Sequence, residues 1–350
     1  MQKTTTRWGI LGAATIARKN WLAIRNSGNG VVAAVASRRV ESATAFIDQC
    51  QSQATFVRKP QALGSYAELM DDPNIDAVYI PLPTGLRKEW VIAAAKAGKH
   101  IVCEKPCAAS ANDLEEMLAA CRKHRVQFMD GVMFMHSRRL DSIRAALPKH
   151  VGRLKRLTLA FSFNAPKEFF KSNIRADRSL EPHGCVGDLG WYCIRFALWA
   201  MNWQMPREVS GRILAKTKTG IPIEFSGELL FGGGVSAGFY CSFQTADQQL
   251  AQISGDRGYL RVNDFVLPFS GKKIGFETCN SNFDLDGCHF NMNGGLCQRT
   301  VAEQSNSHPK SQEANLFRNF AAQIQSGKLN KQWPAIALQT QRVMEQCLAT

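Results

Sequence analysis

Short apolar runs alternate with helix-period stretches through the first third of the chain. Arg7–Leu11 is the first run; it breaks at Gly12, and small residues lead into a helical pattern ending near Asn26. Val31–Ser37 reads as a buried strand, followed by a helix from about Glu41 to Gln51. A short helix over Ser65–Met70 precedes strand Ala77–Ile80, and helix Leu86–Ala97, closed by Gly98, precedes strand His100–Cys103. Ser110 stands as an N-cap with Asp113 three residues on, opening a helix to about His124. Val126–Met129 completes the series. Strands apolar on both faces with helices between them predict a parallel, doubly wound sheet covered on both sides.

Beyond about Asp130 the pattern changes, so we divide the chain into residues 1–130 and 131–350. Leu154–Phe163 alternates imperfectly, as a long strand with one wet face does. Glu224–Phe231 and Val235–Phe243 flank Gly232-Gly233-Gly234 and predict a hairpin. Ile253–Leu260 reads as a further turn between strands. Helices are expected near Val186–Met201, Gln312–Ser326 and Ala335–Leu348, in a mainly antiparallel second half. Residues from about Asn280 to Pro309, rich in Asn, Ser and Gly, read as a long irregular segment, either functional or mobile. No internal repeat is present.

Composition narrows the class. A chain of 350 residues with 45% hydrophobic and 21% charged residues is an ordinary globular protein, long enough for two domains. No apolar run is long enough to span a bilayer, and the first strand begins too early to leave room for a signal peptide. Eleven cysteines without a CxxC pair suggest reduced thiols in a cytoplasmic protein. Cys279, Cys288 and Cys297 with His289 lack the close ligand pairs of a metal site, so no metal is assigned. The net charge of +14 is scattered rather than gathered into a stripe with stacking aromatics, which argues against a nucleic-acid partner.

The chemistry is expected at the carboxyl ends of the parallel strands. Gly12, Ala14 and Ala17 keep the spacing G-x-G-x-x-G/A: a glycine for the tight turn, a small residue for approach to a pyrophosphate, and a small residue for close helix packing. The helix start then offers unpaired N–H groups to phosphates. After the second strand, where an acid would bind a free ribose, stands Ser37-Arg38-Arg39. Ser and Arg bind a 2′-phosphate, so NADP is preferred over NAD; the alternative is an exposed basic loop. Pro81-Leu82-Pro83-Thr84 is accounted for by turn and cap chemistry alone. Glu104-Lys105-Pro106 puts a charged pair directly after a buried strand, which reads either as a functional turn with a cis or strained Lys-Pro bond or as a turn without such a role. In Gly184–Tyr192, a helix would place Asp188 and Tyr192 on one face; the glycines either admit a flat ring or serve packing against the sheet.

Taken together these stretches resemble the glucose–fructose oxidoreductase / inositol dehydrogenase / rhizopine catabolism (Gfo/Idh/MocA) family, over nearly the whole chain. Gly12–Ala17, Ser65–Leu69, Ile75–Pro83, Ala97–Pro106, Asp188–Tyr192, Glu313–Phe317 and Trp333–Ala337 carry the likeness. The resemblance implies an N-terminal Rossmann domain and a C-terminal, largely antiparallel open sheet with helices, whose outer face often makes homodimers or homotetramers. It implies hydride exchange between NAD(P) and a carbinol or ketone of a sugar, sugar derivative or cyclic diol. Lys105 and Tyr192 would be the catalytic pair, with Asp188 orienting substrate or cofactor. The cofactor would lie along Gly12, Ala13, Ala14, Thr15, Ile16, Ser37, Arg38, Pro81, Leu82, Pro83, Thr84, Arg87, Glu104 and Lys105. His136, Arg175 and His183 are substrate candidates. Tyr192 stands where inositol dehydrogenases carry His, which disfavours inositol. Thr84-Gly85-Leu86-Arg87 replaces the family's Asn or Thr followed three residues later by His, and Pro182-His183-Gly184-Cys185 thins its triple glycine. The family also holds a non-catalytic co-repressor, but a sensor has no need of the proton relay that Lys105, Asp188 and Tyr192 would form.

Overall fold

The computed structural model describes residues 5–349 apart from 167, 272, 306 and 307. Its first part alternates strand and helix: β1 (Thr6–Leu11), α1 (Thr15–Ser27), β2 (Gly30–Ala36), α2 (Val40–Gln53), β3 (Gln61–Leu63), α3 (Tyr66–Asp71), β4 (Ala77–Ile80), α4 (Thr84–Lys96), β5 (His100–Cys103), α5 (Ala111–Lys123) and β6 (Phe128–Asp130). All neighbours in this sheet are parallel and the order is β3-β2-β1-β4-β5-β6. The order reverses between β1 and β4, the switch point at which such sheets hold ligands. Ser110 caps α5 by accepting from the Asp113 N–H, as its spacing requires.

The later elements are α6 (Arg138–His150), β7 (Leu154–Asn164), α7 (Phe169–Ser172), a π-helical turn (Val186–Gly190) and α8 (Trp191–Ala200). They continue with β8 (Glu208–Lys216), β9 (Pro222–Leu230), β10 (Ser236–Ser242), β11 (Gln244–Gly255), β12 (Tyr259–Val262), β13 (Gly275–Cys279), β14 (Asn282–Asp286), β15 (His289–Asn293) and β16 (Leu296–Thr300). Helices α9 (Gln312–Gln325) and α10 (Gln332–Ala349) close the chain. An eight-stranded sheet runs β16-β13-β12-β11-β7-β10-β9-β8. It is antiparallel but for the β7–β10 pair. The triple-glycine hairpin is present, pairing Leu230 with Ser236. One face of the sheet carries Leu157, Leu159, Phe225, Phe239, Cys241 and Ile253 into a core with α8, whose residues are all buried.

Two compact units result, and their membership departs from a break at residue 130. The first takes the described residues up to His136 together with Asp177–Pro182 and the stretch from residue 308 to Arg342; the second takes the rest. The reason is packing: Phe317 and Phe320 of α9 lie 5.1 and 5.4 Å from the ring of Trp8 on β1, which is fully buried. Aromatic burial of this kind outweighs position along the chain. The stretch expected to be irregular is corrected by the structure. Residues 282–300 form a two-stranded ribbon, β14 paired with β15, and the edge strand β16 paired with β13. The alternation Phe283, Leu285 and Phe290, Met292 around Gly287 is a period-2 signal that the flanking Asn and Asp residues obscure.

Candidate active site

In the first unit, the carboxyl ends of the strands gather most of the predicted cofactor residues. Gly12 has φ +99° and donates its N–H to the Ala36 carbonyl at 2.7 Å. A Cβ there would sit 3.2 Å from Leu82 Cδ2 and 3.6 Å from Tyr66 Oη, so only glycine suits both the backbone and the space. Ala14 is the extended N-cap of α1; it offers no side-chain cap, and the first turn holds no acid. Ala13, Thr15 and Ile16 are exposed around that helix start. A helix terminus left open in this way is a cradle for a phosphate. Ser37 is half-buried and Arg38 exposed at the end of β2. Tyr66, missed in the sequence, packs edge-on against Trp90 at 4.9 Å, and desolvation raises its pKa while the Arg38 charge opposes. These residues fit a dinucleotide: Gly12 to Ile16 would hold the pyrophosphate, and Ser37 with Arg38 a ribose substituent.

Two predicted contacts are turned to a different use. Pro81 and Leu82 are buried at the end of β4, and Pro83 leads into α4. Arg87 is 4% exposed; its Nε donates to the Leu82 carbonyl at 2.7 Å and its Nη1 to the Pro106 carbonyl. It therefore clamps the β4 turn to the Lys105-Pro106 turn. Thr84 donates its hydroxyl to Glu181 at 2.6 Å, and its backbone N–H goes to the same carboxylate at 3.1 Å.

Glu104 is also directed inward. Its carboxylate accepts from Tyr79 Oη at 2.6 Å and, at 3.4 Å, from Asn20 Nδ2, which also lies 2.5 Å from that hydroxyl. The Lys105 N–H reaches Glu104 Oε2 at 3.3 Å. Thus Glu104 braces the backbone that carries Lys105, whose side chain is half-buried beyond a cis Lys105–Pro106 bond. Lys19, on α1, donates to Met133 Sδ at 2.6 Å and pairs with Glu313 at 3.5 Å. Burial lowers its ammonium pKa; the Glu313 and Glu104 charges oppose, and Lys105 adds to the lowering. No spacing rule in the sequence marks Lys19, Asn20 or Tyr79.

His136 is committed elsewhere in this unit. Its Nδ1 lies 3.1 Å from Asn319 Nδ2, its carbonyl accepts from Asn315, and its ring meets Trp333 edge-on at 6.1 Å.

The second unit holds Asp188, Tyr192, Arg175 and His183. The expected helix over 186–201 begins as a π-helical turn, to which the His183 carbonyl contributes by accepting from the Val186 and Gly187 N–H groups at 3.1 and 3.2 Å. Asp188, mid-turn, takes a hydrogen bond from Arg175 Nε at 2.6 Å and a longer one from Nη2 at 3.4 Å. Tyr192, 7% exposed, packs its ring 5.6 Å from Phe161 of β7. The glycines serve packing rather than an open platform: a Cβ on Gly184 would fall 2.1 Å from the Pro222 carbonyl oxygen, and one on Gly190 3.3 Å from Cys241 Sγ. Widened π-helical turns recur at functional sites because they re-aim side chains within a helix.

A reversed parallel sheet with an open helix start at its glycine turn, followed by a sheet-based second unit, defines a two-domain dinucleotide-dependent oxidoreductase class. The model of the oxidoreductase family with an NAD-binding Rossmann fold matches residues 6–132, and the Gfo/Idh/MocA C-terminal domain matches residues 146–261. The chain belongs to the Gfo/Idh/MocA oxidoreductases. It is 32% identical to D-xylose 1-dehydrogenase (NADP(+)) 2 of Haloferax volcanii, over 73% of this chain and 75% of that one. It is 30% identical to trans-1,2-dihydrobenzene-1,2-diol dehydrogenase of Mus musculus, over 75% and 76%. Among solved structures, the 3-ketoreductase KijD10 of Actinomadura kijaniata, in complex with NADP and TDP-benzene, shares the fold with a TM-score of 0.82 at 21% identity. That likeness covers 99% of this chain and 98% of that one. The aldose-aldose oxidoreductase of Caulobacter crescentus gives 0.78 at 20%, over 97% and 96%. Among the described residues, no three His, Cys, Asp or Glu side chains converge as a metal would require, and no helix is long and apolar enough to cross a membrane.

Proposed function

We propose that the protein is an NADP-dependent oxidoreductase that interconverts a carbinol and a ketone in a sugar, a sugar derivative or a cyclic diol, with Lys105 and Tyr192 handling the proton. The observation that carries this reading is the pairing of an open, acid-free α1 start with Ser37-Arg38 at the end of β2. Such a set welcomes a 2′-phosphate that an acid at the same place would repel. The named activities of the xylose and dihydrodiol dehydrogenase relatives support the substrate class.

When bound, the nicotinamide supplies the hydride acceptor or donor. The chain's own task is the proton. Oxidising a carbinol requires its hydroxyl proton to leave, and a phenol is too weak a base unaided. The Lys105 ammonium favours the phenolate form of Tyr192, which then takes that proton; in reverse, the Tyr192 hydroxyl donates it to the ketone oxygen. Asp188, steadied by Arg175, orients the hydroxyls of the substrate, and His183 lies at the start of the same turn. His136 is left out of this reading because its ring is engaged by Asn319 and Trp333.

We infer a reducing, cytoplasmic setting, since the eleven cysteines are all free thiols. We also infer self-association through the outward face of the eight-stranded sheet. Residues 219–256, which include β9, β10 and β11, hold no Lys or Arg in a chain of net charge +14. That stretch brings no cations of its own to a contact between two copies.

The test is nicotinamide absorbance with NADP and with NAD across aldoses, polyols and cyclic diols. The reading expects reduction with one class and a preference for NADP that falls about tenfold in Arg38→Ala, the loss of one charge-assisted phosphate contact. Tight NADPH binding without turnover on any carbinol or ketone would replace it with a sensor.

A further inference from the structure

The β14–β15 ribbon forms a sheet of its own, and all ten of its residues are exposed. Its pairing sorts the side chains by face. Phe283 opposes Met292 and Leu285 opposes Phe290, whereas Asn282, Asp284 and Asp286 oppose Asn293, Asn291 and His289. Directly opposed residues share a face, and the Phe283 and Phe290 rings lie 5.8 Å apart. One face is therefore wholly apolar, with Phe283, Leu285, Phe290 and Met292 at 59%, 58%, 70% and 72% exposure. Gly287 at φ +58° makes the tight turn that fixes this register. A two-stranded ribbon is marginal in water by itself, and a contiguous apolar face of this kind marks an interaction surface.

We infer that this face is covered by the same face of a second copy of the chain, packed ribbon on ribbon across a two-fold axis. Charge selects the occupant. The stretch from Ile274 to Gln298 holds no Lys or Arg and three acids, Glu277, Asp284 and Asp286, in a chain with 43 basic residues. The apolar face itself carries no charge, Asp284 and Asp286 standing on the opposite face, so two copies bring no like charges together there, and it offers no cation to a nucleic acid or an anionic lipid. The four side chains are their own complement, as a two-fold contact demands, and two such ribbons stack as a two-layer sandwich. Covering them removes about 400 Å² of apolar surface per copy, so about 800 Å² for the pair. Adjacent β16, an edge strand that exposes Leu296 at 55%, extends the contact toward the roughly 1,200 Å² at which stable interfaces begin. The ribbon lies outside the matched C-terminal domain, which ends at residue 261. The inference rests on the reading that the chain self-associates, and it adds the ribbon to the sheet face as a second contact segment.

Light scattering on the size-excluded full chain tests it, with Phe283→Ser/Phe290→Ser and, independently, Phe290→Asp/Met292→Asp. Leu250→Lys on the outward sheet face serves as the comparison. All these side chains are at least partly exposed, and circular dichroism with NADPH binding reports that each variant folds. A wild-type dimer whose dissociation constant rises at least 100-fold in both ribbon variants supports the inference, whatever Leu250→Lys does. A dimer unchanged in the ribbon variants overturns it while leaving self-association standing. A wild-type monomer at high concentration overturns both, and cosedimentation of that monomer with phosphatidylcholine vesicles would assign the ribbon to a lipid surface instead.

Discussion

At the scale of single residues, the site depends on side chains that face away from it. Tyr79 is fully buried in β4, yet it carries a hydroxyl whose partner is Glu104. Burial raises the Tyr79 pKa well above its ordinary value, and the Glu104 charge adds to it, so the phenol stays protonated as the donor. Tyr79→Phe keeps the ring and deletes the donor. Leaving a buried carboxylate short of a partner costs about 1–3 kcal/mol, and urea unfolding of the variant should read a loss of that size. An unchanged midpoint would show that Asn20 suffices to hold Glu104. This network was not legible in the sequence. Ala77–Ile80 reads as a plain apolar strand, because a tyrosine at a strand position signals hydrophobic burial first and its hydroxyl's partner lies 25 residues away. Arg87, placed at the cofactor turn by the family resemblance, donates to two backbone carbonyls there and faces Glu181, partners that no local pattern announces.

Among the elements, β5 is tied to the residue that precedes β6 by a pH-sensitive contact. His100 Nδ1 accepts the Gln127 N–H at 2.9 Å, which requires that nitrogen to be unprotonated. Burial lowers the His100 pKa, with Asp76 opposing. The sign follows: the unfolded chain takes up this proton more readily, so the contribution is full above the unfolded value near 6.5 and is lost as pH falls below it toward the lowered folded value. Thermal unfolding should therefore show a melting temperature that drops between about pH 6.5 and 5 in the wild type and flattens in His100→Gln. An identical slope in both would assign that drop to other groups. Element existence was largely readable, since each buried parallel strand is a continuous apolar run punctuated by turn residues. The failures sit where that grammar is weak. The helix Arg138–His150 escaped because a basic, mostly exposed face masks its period, and β8 because it is an edge strand with few buried positions.

For the whole molecule, the two units separate what was legible from what was not. The doubly wound sheet, its glycine turn and the motifs ending in Lys105 and Tyr192 all follow from local sequence. The return of α9 to the first unit does not, because the Trp8–Phe317 contact joins residues 309 positions apart by shape alone. The same holds for the Arg175–Asp188 pair, whose members lie on different elements of the second unit.

In the proposed mechanism Tyr192, assisted by Lys105, moves the proton during hydride transfer. That role is tested most directly by steady-state cofactor reduction with the accepted substrate, measured for wild type, Tyr192→Phe and Lys105→Ala alongside NADPH binding. We expect kcat to fall by about 10²–10⁴ in each variant, as for loss of a general acid–base group, while NADPH binding stays within about twofold for Tyr192→Phe. Near-normal kcat in both variants, with cofactor binding intact, would contradict it.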